Sequence, residues 1–351
     1  MGTTFLIFIV KMETNKPFII AEMSGNHNQS LEKAIQIVDA AAKAGVQALK
    51  LQTYTADTIT MKGAFIITDE KSLWYGRDLY DLYQEAHTPW EWHKALFDRA
   101  KEKGIICFST PFDETAVDFL ESLANPIYKI ASFEVTHIPL LKYIAQTGKP
   151  VIMSTGASTL EEIEEAVSTL RENGCKDLTL LKCTSTYPAT HEDSNLLTIP
   201  HLKQLFDCKV GLSDHTLGIG VAVASIALGA TVIEKHFCFS RAEGGVDSAF
   251  SLEPQEMKLL VEEVNQAYLA LGKVTYGVLE TEKSSRIFKR SIYASKDIDA
   301  GEIFTKDNIK VIRPGNGLHP RYYSFILGEK ATCNIEKGKP VLFKHTNLKT
   351  L

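Results

Sequence analysis

The chain predicts a (β/α)₈ barrel of the TIM type followed by a small β-rich domain, on three observations. From Phe18 to Gly272, short apolar runs alternate with longer amphipathic ones. The alternation repeats eight times within about 250 residues, the usual size of a closed barrel. After Gly272 the rhythm changes to short strand-like runs punctuated by turn dipeptides.

The strand runs are, in order, FIIAEMS, ALKLQTY, IICFSTP, YKIAS, PVIMSTG, LTLLKCT, KVGLSDHT and VIEKHFCF. Between them lie helical stretches such as LEKAIQIVDAAAKAG, PWEWHKALFDRAKEKG, TLEEIEEAVSTLRENG and GVAVASIALGA, several closed by a C-cap glycine. An open doubly wound sheet is the structural rival. The stretch from Thr55 to His87, with Tyr75, Tyr80 and Tyr83, interrupts the rhythm and reads as an extended loop over one end of the barrel. Further on, RSIYASKDIDAGEIFTKDNIKVIRPGNGLHP carries Asp299-Ala300-Gly301 and Pro314-Gly315 turns. The expected division is an extension over 1–17, a barrel over 18–274, a linker over 275–285 and the β-rich domain over 286–351.

Composition narrows the partners. The 38 basic and 43 acidic residues give a net charge of −5 with no basic block, which argues against nucleic acid. Six scattered cysteines (Cys107, Cys175, Cys183, Cys208, Cys238, Cys333) form no C-x-x-C pair and read as reduced thiols of a cytoplasmic protein without disulfides. The N-terminal FLIFIV is too short to cross a membrane and lacks the basic flank of a signal peptide, and Met12 is an alternative start.

Barrel chemistry sits at the C-terminal ends of the strands. Strand one carries Glu22; strand two, Lys50 and Gln52; strand three, Ser109-Thr110; strand four, Lys129 and Ser132. Strands five to eight carry Ser154-Thr155-Gly156, Lys182 and Thr184, Ser213-Asp214-His215, and Glu234-Lys235-His236. Each has an ordinary reading, since such serines and threonines cap helices and Lys235 could point outward by alternation. Together they would place several charges in one mouth, which is costly without opposite charges or a ligand. His215 at the end of strand seven and His236 on strand eight can meet across neighbouring strands. Two imidazoles with open positions suit a divalent metal, Mn²⁺ first, with Mg²⁺, Co²⁺ or Zn²⁺ as other candidates. Lys50, Lys129 and Lys182, with Thr110, Ser132, Ser154 and Ser213, suit a phosphorylated or carboxylated small anion.

These residues bring a resemblance into view. AEMSGNHNQSLEKA, LKLQTY, FSTPFD, YKIAS, STG, KCTSTYPA, GLSDHTLG, EKHF and RPGNG occur in the order and spacing of the sialic acid synthase family, which the chain resembles along nearly its whole length. The resemblance implies a TIM barrel with an antifreeze-like (SAF) domain. It also implies condensation of phosphoenolpyruvate with an N-acetylated sugar in its open aldehyde form, giving a nine-carbon 2-keto acid and phosphate. SGNHN after strand one and GGVDSAFSLEP after strand eight make the chain most similar to the pseudaminic acid branch, whose sugar is 2,4-diacetamido-2,4,6-trideoxy-L-altrose. Asp247-Ser248 stands where the legionaminic and sialic branches tend to have Asp-His.

By matching motif, the resemblance assigns His215 and His236 to the metal. Lys50, Thr110, Lys129, Ser132, Ser154 and Ser213 fall to phosphoenolpyruvate, and Glu22, Gln52, Tyr187 and Asp247 to the sugar side. Glu22, or else Glu234, would move protons. Ser185 replaces the asparagine of the sialic branch, so that contact does not carry over. Arg313 would reach the sugar from a partner's SAF domain, with Phe288 near the entry to that domain, implying a domain-swapped homodimer. The product class would serve surface glycans or flagellin, with no membrane attachment of the enzyme. The rivals are a sialic or legionaminic acid synthase using N-acetylmannosamine or a diacetamido analogue, a metal-free Schiff-base aldolase using Lys182 or Lys129, and a non-enzymatic binding protein.

Overall fold

A computed structural model describes residues 16–348. The expected extension and the alternative start at Met12 therefore lie largely outside the described residues. Strands β1 (Phe18–Glu22), β2 (Ala48–Thr53), β3 (Ile106–Pro111), β4 (Tyr128–Ile130), β5 (Val151–Ser154), β6 (Leu178–Cys183), β7 (Lys209–Asp214) and β8 (Val232–His236) pair in sequence order as a closed parallel barrel. The β1–β8 ladder, from Phe18↔Val232 to Glu22↔His236, shuts it. Closure rules out the doubly wound rival.

Among the described residues, ten α-helices accompany the barrel: α1 (Leu31–Ala44), α2 (Ala56–Ile59), α3 (Leu79–Ala86), α4 (Trp90–Glu102), α5 (Glu114–Ser122), α6 (Ile138–Gln146), α7 (Leu160–Glu172), α8 (Thr198–Phe206), α9 (Gly220–Ala227) and α10 (Pro254–Leu271). Local chemistry explains their ends. In α1, Ser30 accepts from the Lys33 N–H at the N-terminus and Gly45 closes the C-terminus at φ 90°. In α7, Thr159 and Glu162 form a capping box. The Thr55 to His87 interruption is no simple loop, because Asp78 caps α3 by accepting from the Tyr80 and Asp81 N–H groups.

Strand alternation sorts the side chains into two buried regions. One face of each strand packs against the helices, forming the larger core. The other face points inward, where Phe18, Ile20, Ala48, Phe108, Ile127, Ile152, Leu181 and Val232 form an apolar plug. The next inward positions toward the C-terminal rim are Glu22, Lys50, Thr110, Lys129, Ser154, Ser213 and Glu234, so the plug floors a polar chamber. Because Leu181 lies inside, Lys182 faces out. It is only half-buried and spends its ammonium on the Cys183 carbonyl (2.8 Å) and Thr184 Oγ1 (3.1 Å). Its expected place beside Lys50 and Lys129 is corrected accordingly.

The chain divides after Gly272 into a second unit. There β9 (Ser291–Ala294) and β10 (Ile309–Ile312) form an antiparallel pair, extended by bridges such as Tyr293↔Pro340 and Ile298↔Ile335, and α11 (Tyr323–Ile326) follows. Ile292, Ile298, Phe304, Ile309, Leu318, Ile326 and Val341 give this unit its own small core. Among the described residues no helix is long and apolar enough to cross a membrane.

Candidate active site

The chamber is a charge network built on neighbouring strands. Lys50 Nζ lies 2.6 Å from Glu22 Oε2 and 3.7 Å from Glu234 Oε1, and donates to Thr110 Oγ1 at 3.3 Å. Lys129 Nζ donates to Ser154 Oγ at 2.7 Å and lies 3.7 Å from Glu234 Oε1. Gln52 donates to Glu22 at 2.9 Å, and Ser213 to Glu234 at 3.3 Å. Burial opposes the Lys50 ammonium, but Glu22 and Glu234 more than offset it and raise its pKa. For Lys129, burial prevails and lowers it.

Ser132 lies beyond β4 in a 3₁₀ turn, where its Oγ accepts the Gly156 N–H at 3.0 Å. Gly156 lets these hydroxyls come close: an added Cβ would sit 2.2 Å from Ser185 Oγ and 2.9 Å from Ser132 Oγ, so both serines would have to turn away. The same turn presents Glu134, which the sequence reading passed over. Its Oε2 is buried without a partner, and burial, partly offset by Lys129, pushes its carboxyl up to about 7. Its signal was visible only as an acid two residues past a barrel-end serine.

His215 lies one residue beyond β7, and His236 is the last residue of β8. Their ring centroids are 5.3 Å apart. His215 donates from Nδ1 to the Thr184 carbonyl at 2.8 Å. His236 Nδ1 is buried with no hydrogen-bond partner and lies 3.9 Å from Asp247 Oδ2. Burial, followed by the charge of His215 and nearby lysines, pulls His236 well below its ordinary pKa, keeping it in the neutral form that metal ligation needs. Among the described residues no three His, Cys, Asp or Glu side chains form a ready cage. The side chains here that could hold a divalent ion are the two imidazoles, with the remaining positions left to water and substrate oxygens.

Aromatic rings cover the imidazoles. Tyr187 stands 4.5 Å from His215, and Phe250 stands 4.9 Å from His236, centroid to centroid. Trp74, from the stretch between β2 and α3, lies 5.9 Å from Tyr187 and donates its indole N–H to the Val246 carbonyl at 3.1 Å. Asp247 itself accepts from Ser24. Reading the interruption by its tyrosines missed Trp74, whereas Tyr75 is exposed. Cys183 is no inert core thiol: its Sγ lies 3.9 Å from His215 Nδ1. Burial raises that thiol, but His215, Ser132 and Lys129 more than offset this and pull it down to about 7. The sequence reading did not place Cys183 or Phe250 in the site. Phe288 and Arg313 lie in the second unit, both exposed.

The barrel segment matches the NeuB family over residues 37–276, and the second unit matches the SAF domain over 289–345. The chain belongs to the NeuB family. It is 47% identical to the pseudaminic acid synthase of Campylobacter jejuni, over 92% of this chain and 94% of that protein. The pseudaminic acid synthase of Helicobacter pylori is 43% identical over 93% of this chain and 96% of that one. Among solved structures, the N-acetylneuraminic acid synthetase of Leptospira borgpetersenii, crystallised with citrate, superposes with a TM-score of 0.70 at 32% identity, covering 77% of this chain and 90% of that one.

Proposed function

We propose that this NeuB-family chain is a pseudaminic acid synthase. It would join phosphoenolpyruvate, water and 2,4-diacetamido-2,4,6-trideoxy-L-altrose into pseudaminic acid and phosphate. The observation that carries this reading is the juxtaposition, in one barrel mouth, of a lysine and hydroxyl floor for an anion with an imidazole pair roofed by aromatic rings. Similarity of 43–47% to two pseudaminic acid synthases supports the choice of sugar.

In this reading Lys50 and Lys129, with Thr110, Ser132, Ser154 and Ser213, hold the carboxylate and phosphate of phosphoenolpyruvate and aim its C3 at the sugar aldehyde. Carbon–carbon bond formation leaves a cationic C2, water adds there, and the tetrahedral product loses phosphate by C–O cleavage. His215 and His236 would hold a divalent ion, Mn²⁺ first, which when bound supplies a Lewis acid for the developing alkoxide. Tyr187, Asp247 and Gln52 face the sugar, with Arg313 and Phe288 contributed by the partner of a domain-swapped homodimer. A cytoplasmic enzyme serving surface glycans or flagellin completes the proposal.

The proton acceptor for the attacking water is one of three carboxylates: Glu22, Glu234 or Glu134. Glu22 and Glu234 are held by lysines, whereas burial pushes the Glu134 carboxyl up to about 7. A carboxyl with a pKa of about 7 is ionised above that pH and holds its proton below it. kcat/KM is therefore expected to rise with pH through about 7. Glu134→Gln should lose that limb and about 10²–10⁴ in rate. An unchanged acid limb in the variant would return the role to Glu22 or Glu234.

The reading is tested by phosphate release from metal-stripped enzyme with Mn²⁺ restored, offering the altrose sugar and N-acetylmannosamine side by side. Release that requires both metal and the altrose sugar is the expected result. Release with N-acetylmannosamine alone would move the chain to the sialic branch. Turnover that survives chelation together with borohydride trapping on lysine would favour the aldolase.

A further inference from the structure

The last rung of the β7–β8 ladder pairs Asp214 with Lys235, the residues immediately before His215 and His236. Alternation turns both side chains away from the chamber, into the packing layer behind it, where they are 1% and 0% exposed. Lys235 Nζ donates to Asp214 Oδ2 at 2.7 Å and to the Thr216 carbonyl at 2.6 Å. Asp214 Oδ1 in turn accepts from the Thr216 N–H at 2.9 Å and from its hydroxyl at 2.7 Å. One ammonium, rooted beside His236, thus grips the residues on both sides of His215. The His215 carbonyl also accepts the Ala189 N–H at 3.1 Å, which ties the Tyr187 loop to the same point.

We infer that Lys235 is a positioning residue that sets the spacing of the two imidazoles. His215 lies past the end of β7, so the β7–β8 ladder alone does not hold its backbone at a fixed distance from β8. The Lys235 grip supplies that constraint without touching substrate. A buried ion pair is a poor source of stability, since an apolar pair of similar volume is often as good, so its value here lies in geometry. The inference rests on the reading of His215 and His236 as the metal pair.

The test titrates metal-stripped enzyme with Mn²⁺ alone, following the free ion by electron paramagnetic resonance, and records thermal unfolding of the same samples. Lys235→Met should weaken Mn²⁺ binding by about 10–100-fold and lower Tm, because Asp214 is left buried and unpaired. Asp214→Asn combined with Lys235→Met removes that lone charge. It should regain Tm but not Mn²⁺ affinity, since the bond to Thr216 is still missing. If the methionine variant does not fold, the double variant, which leaves no lone charge, carries the comparison by itself. Wild-type affinity in the double variant would overturn the positioning role and leave only a structural pair. Failure of the wild type itself to bind Mn²⁺ would instead overturn the metal reading, and the inference with it.

Discussion

His236→Ala is expected to lose about three orders of magnitude or more in kcat/KM for metal-stimulated phosphate release. Lewis-acid stabilisation of a developing oxyanion is worth several kcal/mol, and each 1.36 kcal/mol is about tenfold in rate. The loss should fall on kcat and not on the KM for phosphoenolpyruvate, because the lysine and hydroxyl floor does not include the imidazole. The orphaned Nδ1 sharpens the expectation, since a buried ring nitrogen without a partner is costly unless a ligand takes it. Steady-state kinetics at saturating Mn²⁺, with circular dichroism to confirm the fold, measures the effect. A variant within tenfold of wild type would remove His236 from the metal site.

Lys50→Met should cost the fold about 3–5 kcal/mol as well as the activity. Its ammonium is the close partner of Glu22 and a near neighbour of Glu234. Removing one member of a buried charge network leaves the others uncompensated, the situation in which such losses are measured. Near pH 7 the two carboxylates would repel across the plugged barrel, and protonation would relieve them. The stability deficit should therefore shrink as pH falls, while the phosphoenolpyruvate defect remains. Denaturant unfolding at pH 5 and pH 8 separates these effects. A deficit equal at both pH values would mean that lost packing, and not orphaned charge, explains the destabilisation.

Much of this site was legible before any coordinates. Each inward-facing polar residue sits near the end of an apolar run, and the period of two along a strand tells which neighbours share its side. Applied strictly, that period places Lys182 outside just as it places Lys235, because Leu181 and Glu234 lie inside. The reading of Lys182 as an anion donor erred by treating the strand end as a point and not as two faces. Trp74, Glu134 and Phe250 were not legible, since each sits on a connecting segment without a repeating pattern.

The sequence by itself determined the eightfold βα rhythm, the break after Gly272, the candidate anion floor and the two histidines. Those follow from periodicity and residue chemistry, which are local. Tertiary structure decided which charges meet: Lys50 with Glu22 and Glu234, Lys235 with Asp214 and Thr216, and an aromatic roof over the imidazoles. Closure of the barrel brings strand one against strand eight, and no local pattern encodes which side chains of residues two hundred positions apart will share one low-dielectric chamber.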